Sequence, residues 1–243
     1  AKMELPPSEV GSEVPDAALR RRNERIWGMD PLQQRQTIGA YMASVRFMDE
    51  QVGRLLDALE RLGAADHTIV LFMSDHGYNL GEHGCWSKVS LWEESIKVPL
   101  IVACPWMESG HGKVNHSVTE LIDLYPTLLS LCGYRDEIPS RLQGSSLVTH
   151  LADPGYVEED ATAYVVSYHG KAATLLDRRW KYHRWNTEGG GVKEELYDRY
   201  TDPDELQNLA HVPAYETVLS DMRDRYMQRS IRAQKEKATG LPQ

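Results

Sequence analysis

The longest periodic signal in the chain lies between residues 38 and 62. Apolar residues recur three and four apart at Ile38, Tyr41, Met42, Val45, Met48, Val52, Leu55, Leu56, Leu59 and Leu62. Arg46, Asp49, Glu50, Arg54 and Asp57 fall mostly off that stripe. This spacing predicts one long amphipathic helix packed on something large, a sheet. The stretch "GMDPLQQ" marks its start, with Asp30 as N-cap, Pro31 at the first helical position and Gln33 as capping-box partner. Gly63 fits its C-terminal cap. Two short apolar runs follow, "TIVLFM" at 68–73 and "VPLIVAC" at 98–104, and both read as central strands buried on two faces. "DLYPTLLSLCG" at 123–133 reads as a second helix, with Asp123 as N-cap, Pro126 in the first turn and Gly133 closing it. Helix, strand, loop, strand, helix is the grammar of an α/β sheet with helices on its faces.

Past about residue 150 the pattern changes. "AYVVSY", "KAATLLD", "RWKYHRW" and "EELYD" are four short strand candidates joined by turn-like segments, which predicts a small antiparallel sheet. A polar helix is expected from about 214 to 235, solvated on account of its charges. Residues 1–20 are rich in Pro, Glu, Ser and Ala without periodicity and read as a loop or linker. The expected organisation is therefore an arm at 1–28, an α/β portion at 29–152 and a C-terminal subdomain at 153–243, made of a four-stranded antiparallel sheet and a helix.

Composition narrows the partners. The 243 residues are 41% hydrophobic and 26% charged, an ordinary globular balance. A formal net charge of −9 argues against nucleic acid and against an anionic membrane surface. An anionic substrate would need a local cation, either a metal or a placed Lys or Arg. Cys85, Cys104 and Cys132 do not make a disulfide framework, and the last two sit in apolar runs expected to bury them. No run of about 18 apolar residues exists to span a membrane. The opening "AKMELPPSEVGSEVPD" has no apolar signal-peptide core and is equally consistent with the interior of a longer chain. Cytoplasm, periplasm and lysosome all stay open.

The candidate chemistry lies in "FMSDHGYNLGEHGCWSK" at 72–88, where a strongly polar run follows directly on a strand. In open α/β sheets, ligands bind outside the carboxyl ends of strands. Asp75 offers a hard oxygen and His76 an imidazole nitrogen, and both suit a divalent cation. Gly77, Gly81 and Gly84 let the backbone turn sharply and approach a ligand. The Lys88 ammonium could return to that cation and hold an anionic group. Three plainer readings stand beside this one: a turn closed by Asp75 on its own backbone, a solvated Lys88, and a zinc site from His76, His83 and Cys85 whose spacing matches no common pattern.

The full string "SDHGYNLGEHGCWSKVSLWEESIKVPLIV" resembles the sulfatase family of the alkaline phosphatase superfamily. The likeness is strongest to the iduronate-2-sulfatase and choline-sulfatase type, which has Asp-His in place of the Asp-Asn of arylsulfatases. "YMASVRFMDEQVGRLLDALERLG", "DLYPTLLSLCG" with "LQGSSLVTHL", and "RWKYHRW…EELYDRYTDPDELQNLA" resemble further family segments in the family's order. The resemblance implies part of an alkaline-phosphatase-like sheet flanked by helices, and hydrolysis of sulfuric esters. It implies Asp75 and His76 as late metal ligands, usually for calcium, sometimes magnesium or manganese. It implies Lys88 as the lysine on the sulfate oxygens, with His83 and Glu82 supporting the site's edge. Trp86 and Trp92 are expected to pack, and Asp123 to cap rather than ligate.

The family's Cys/Ser-x-Pro/Ala-x-Arg motif, the source of the formylglycine nucleophile, is not found around any Cys or Ser, and the early pair of metal Asp residues is absent too. The resemblance therefore implies a carboxyl-terminal portion, with the nucleophile and about half the metal shell in an amino-terminal portion of the same enzyme. Two alternatives remain open: a phosphonate monoester or phosphodiester hydrolase of the same superfamily, and a recognition portion that is inactive alone. The expected substrate is a sulfate-ester small molecule or a sulfated sugar. His169, Lys171, His183 and Arg184 are candidate contacts to it, against the reading of a solvated strand face. Self-association is left open.

Overall fold

The computed structural model describes residues 4–11, 13–16, 18–19, 28–167, 170–187 and 189–238, the side chains of 235–238 excepted. His169 and much of the expected arm lie outside these residues. The chain forms two compact units, one of Ala1–Val10 with Asp16–Glu108, the other of Gly11–Pro15 with Ser109–Gln243. The division falls at 108/109 rather than at the expected 152/153, because the segment that follows residue 109 bonds to the C-terminal portion. Tyr164 N donates to Glu120 Oε1 (2.8 Å), Arg229 pairs with Glu120, and Asn115 Nδ2 donates to Tyr156 O (2.7 Å).

In the first unit, helix α1 (Pro31–Arg61) starts where its signals place it. Asp30 Oδ1 accepts from Leu32 N (2.8 Å) and Gln33 N (2.9 Å), and Gln33 Oε1 accepts from Asp30 N (2.9 Å). At the other end Gly63 is left-handed (φ 65°), with its N donating to Glu60 O (3.0 Å) and Ala64 N to Leu59 O (3.0 Å). This double bond pattern closes a helix over a glycine. The expected packing of α1 on a sheet is not what the unit holds: Ile38 is its one buried residue among those described. The reason lies in the strands. β1 (Val70–Met73) and β4 (Leu100–Ala103) pair antiparallel with each other, Val70 opposite Ala103 and Met73 opposite Leu100, and no third strand joins them among the described residues. They are edge strands, not central ones, and a two-stranded ribbon has no face wide enough to cover a 31-residue helix. Between them lie a short hairpin, β2 (Asn79–Leu80) with β3 (Trp86–Ser87), and the single-turn helix α2 (Glu93–Ile96).

In the second unit, α3 (Leu124–Leu131) and α4 (Val148–Ala152) precede a four-stranded antiparallel sheet and α5 (Glu216–Ala238). Asp123 stands at the N-cap position of α3, yet its carboxylate serves elsewhere, accepting from Glu120 N (2.8 Å) and Ser145 N (2.8 Å). Cys132, expected buried, is exposed at the end of α3, while Cys85 and Cys104 are buried. The sheet runs in sequence order, β5 (Ala163–Ser167), β6 (Ala172–Leu176), β7 (Trp180–Asn186), β8 (Val192–Asp198). α5 is not simply a solvated helix. Leu219, Met222 and Tyr226 on one side of it are buried against Leu175, Tyr182 and Leu196 of the sheet. Glu194 ties the two together, accepting from Arg223 Nε (2.7 Å) and Nη2 (2.7 Å) and from Tyr182 Oη.

The opposite side chains of the same strands, Thr174, Lys181, His183, Trp185, Glu195 and Tyr197, are also buried. His183 Nδ1 lies 2.9 Å from Glu195 Oε2, Trp185 Nε1 donates to the same oxygen (2.8 Å), and Lys181 pairs with Glu205. Burial, reinforced by the nearby Glu195 and Glu205 carboxylates, pushes the Tyr197 hydroxyl pKa up. His183 is thus 1% exposed, neither on a solvated strand face nor on one open to a ligand, because β7 has a neighbour on each edge and both its faces are covered. Arg184, next along, sits on the α5 side with its guanidinium 6.0 Å from the Tyr226 ring centroid. Lys171 is exposed.

Two outcomes follow for this unit. Met222→Ala should lower stability by about 2–5 kcal/mol, read as a drop in urea midpoint at unchanged m-value, since Met222 is 0% exposed. Burial alone would raise the Glu194 carboxyl, but hydrogen bonds from Arg223 and Tyr182 and the charges of Arg223 and Arg184 outweigh it and hold the pKa below its ordinary value. A depressed folded pKa contributes stability above the unfolded value of about 4.3 and loses it as pH falls through the folded value. The melting-temperature gap between wild type and Glu194→Gln should therefore be full at pH 7 and shrink only on acidification below about pH 4.3.

Candidate functional site

The site is built at the point where β1 ends. Ser74 Oγ donates to His76 O (2.7 Å) and closes the first turn. Gly77 N then donates to Ser95 O (2.9 Å), drawing the loop against α2. A Cβ at Gly77 would stand 1.9 Å from Glu94 O, so no other residue fits there. Buried Asn79 holds the next segment, its Oδ1 accepting from Ser90 Oγ (3.0 Å) and Ser95 Oγ (2.6 Å). The hairpin turns through Gly81 (φ 121°) and Gly84 (φ 66°), and Gly81 N donates to Cys85 O (3.0 Å). The Tyr78 and Tyr41 rings, 5.3 Å apart, tie the loop to α1.

This path returns Lys88 to the end of β1, where its Nζ lies 2.8 Å from His76 Nε2. His76 Nδ1 is 2.8 Å from Gly77 O. A carbonyl can only accept, so Nδ1 carries the ring proton and Nε2 keeps a lone pair, which takes the lysine N–H. Asp75 Oδ1 stands 3.7 Å from the same Nε2, and the Asp75 side chain is 82% exposed. Three side chains read from the sequence are thereby brought together: a carboxylate, an imidazole lone pair and an ammonium. Ser87 (φ 75°) and Val89 (φ 72°) flank the lysine, both left-handed. For a β-branched valine that conformation is strained, and strain of this kind persists only where its surroundings impose it.

His83 has a different place. It is buried, its ring stacked 3.9 Å from Trp92 at 12°, with Nε2 3.9 Å from Glu94 Oε2. That position suits support of the loop rather than contact with a ligand. Glu82 Oε2 accepts from Leu80 N (2.5 Å) and also serves the hairpin. Trp86 and Trp92 are buried packing residues.

Asp75 and His76 pass a chemical test as part of a metal site, since a carboxylate oxygen and an imidazole fixed by a backbone carbonyl are ordinary ligands. Among the described residues no group of three or more His, Cys, Asp and Glu side chains converges. Two donors fall well short of the six to eight that calcium takes. Sequence reasoning singled out Asp75, His76 and Lys88, which the structure brings near one another, and missed what places them. The Gly77 approach, the Asn79 network and the left-handed Ser87 and Val89 depend on contacts across the loop, and valine gives no local hint of its conformation. No helix among the described residues is long and apolar enough to cross a membrane.

The chain belongs to the sulfatase family. The sulfatase family profile matches residues 7–134, and that of the N-sulphoglucosamine sulphohydrolase C-terminal region matches 81–232. A choline-sulfatase of Rhizobium meliloti is 34% identical over 78% of this chain and 37% of its own length. A 2-O GAG sulfatase structure aligns with TM-score 0.82 and 27% identity over 99% of this chain and 55% of its own. A structure solved with D-glucosamine-2-N,6-O-disulfate aligns with TM-score 0.72 and 26% identity over 92% of this chain and 47% of its own. A phosphonate monoester hydrolase of Agrobacterium radiobacter aligns with TM-score 0.64 and 28% identity over 76% and 39%. The chain spans about two fifths of the length of the curated relatives it matches.

A pair of glycine substitutions tests the loop geometry. Gly77→Ala should cost about 1–3 kcal/mol by forcing Glu94 away, whereas Gly39→Ala in α1, where a Cβ meets nothing within 4 Å, should gain about 0.5–1 kcal/mol. Urea denaturation of both variants reads the opposite signs.

Proposed function

We propose that this chain supplies the cation-holding and anion-binding side of a sulfuric ester hydrolase site, and that the nucleophile lies in an amino-terminal portion of the enzyme. The observation that carries the reading is the meeting of Lys88 Nζ and His76 Nε2 at 2.8 Å beside Asp75, in a chain of the sulfatase family. Asp75 oxygen and His76 Nε2 would hold a divalent cation, calcium before magnesium or manganese. That cation would supply positive charge beside the sulfuryl group. His76 Nε2, which Lys88 Nζ now meets at 2.8 Å, would be one of its donors, and the Lys88 ammonium would donate to the sulfuryl oxygens. As the S–O bond breaks, charge grows on those oxygens and on the leaving oxygen, and fixed cations beside them would stabilise it. Formylglycine is the expected source of the attack on sulfur. His83 and Glu82 act on this reading by holding the hairpin that carries Lys88.

A sulfated sugar as substrate is supported by the neighbouring structure solved with D-glucosamine-2-N,6-O-disulfate. The phosphonate monoester hydrolase neighbour supports a second reading, cleavage of a phosphonate monoester by the same cation pair. Rates on an aryl sulfate and an aryl phosphonate monoester, measured side by side, separate them.

In a complete enzyme that contains this chain, Lys88→Ala should lower kcat/KM by about a hundredfold or more at unchanged melting temperature. His76→Ala should weaken calcium binding at least about tenfold by titration calorimetry, or about 1.4 kcal/mol. Unchanged turnover in the first variant removes Lys88 from the site, and unchanged calcium affinity in the second removes His76.

A further inference from the structure

Lys88 stands on a short arch of backbone whose two ends both rest on Asn79. Ser87 lies opposite Asn79 in the β2–β3 ladder, and Ser90 Oγ donates to Asn79 Oδ1 (3.0 Å). Only Lys88 and Val89 separate these two supports. The arch turns through left-handed backbone at Ser87 (φ 75°) and Val89 (φ 72°), a conformation that neither residue adopts freely. Released from its surroundings, a valine returns to negative φ and redirects the lysine before it. Asn79 is 1% exposed and is fixed in turn, since Ser95 Oγ of α2 donates to the same Oδ1 (2.6 Å). Trp92 N donates to Ser90 Oγ (3.3 Å) and steadies the far support. Asn79 Nδ2, also buried, has no hydrogen-bond partner among the described residues. An orphaned buried donor counts against stability, and a local rule broken in this way is expected where function requires it. The amide is kept for its oxygen.

We infer that Asn79 is the positioning residue of Lys88. By holding Ser87 and Ser90 together it imposes the left-handed path that delivers the ammonium to His76 Nε2, 2.8 Å away. It acts through the backbone of the arch and not by contact with a substrate. Its effect on turnover rests on the proposed function in one respect, that Lys88 serves the sulfuryl group. Its effect on the place of Lys88 does not.

The test is made in a complete enzyme that contains this chain. Asn79→Ala should lower kcat about tenfold to a hundredfold with KM within about twofold, because a displaced charge is missed most in the transition state. Val89→Gly added to Asn79→Ala should recover most of the lost kcat, since glycine takes left-handed φ without penalty and keeps the arch with less support. In crystals of Asn79→Ala the Lys88 ammonium should leave His76 and Val89 should return to negative φ. In crystals of the double variant the ammonium should be back at His76. Met222→Ala, which destabilises the second unit, should leave kcat and KM unchanged at a temperature where it is folded, so lost stability alone does not mimic the effect. Should Asn79→Ala fail to fold, Ser90→Ala removes only the far support and should show the same fall and the same recovery with Val89→Gly. Turnover unchanged in Asn79→Ala with the ammonium still at His76, or a fall in kcat that Val89→Gly does not relieve, would overturn the inference. Turnover untouched by Lys88→Ala sinks the proposed function instead, and the crystals then decide alone: an ammonium displaced in Asn79→Ala upholds the inference, and one still at His76 overturns it.

Discussion

The candidate site depends on a single approach of backbone to backbone. Gly77 comes so near the Glu94 carbonyl that a methyl group could not stand between them, and its own N–H donates to Ser95. That contact holds the start of the loop against the helix at its end, although 17 residues separate Gly77 from Glu94 in sequence. With both ends held, the hairpin between them has little choice of path, and Lys88 arrives at His76. The backbone carbonyl of the same glycine takes the His76 Nδ1 proton and so decides which nitrogen faces outward. One glycine thus sets both the route of the loop and the tautomer of the ring it presents.

The β1–β4 ribbon and the C-terminal sheet show what neighbours do to a strand. β1 (VLFM) is apolar throughout and β7 (WKYHRWN) carries Lys181, His183 and Arg184, yet β1 is half-open and β7 largely closed. β7 has a strand on each edge, α5 over one face and a buried polar row on the other. In that row each charge meets another. Glu195 takes hydrogen bonds from Trp185 and Tyr197 and lies beside His183, while Lys181 meets Glu205. Buried ionic groups of this kind add less to stability than hydrophobic replacements of the same volume, but removing one partner is costly, so the row favours one register over others.

On α1 the apolar stripe stays largely exposed, and at the end of β1 Asp75 and His76 bring two donors where calcium takes six to eight.

Much was legible in the sequence because it depends on neighbours along the chain. Asp30, Pro31, Gln33 and Gly63 bracket α1 through bonds no more than five residues long, and the four C-terminal strands alternate with turns that interrupt them. Asp75, His76 and Lys88 were legible as candidate chemistry, beside plainer readings as a turn and a solvated lysine, and it was the resemblance of the whole string that singled them out. Only the tertiary structure decided the rest. Sequence spacing says that 38–62 has an apolar face, but exposure depends on what else is present to cover it. It says that His183 lies in a strand, but whether its ring meets solvent or Glu195 depends on strand order and on both layers of packing. Cys132 stands in an apolar run and is nonetheless exposed, because a helix end faces where its neighbours leave room. Periodicity and capping are properties of the local chain, whereas burial belongs to the assembly of distant segments.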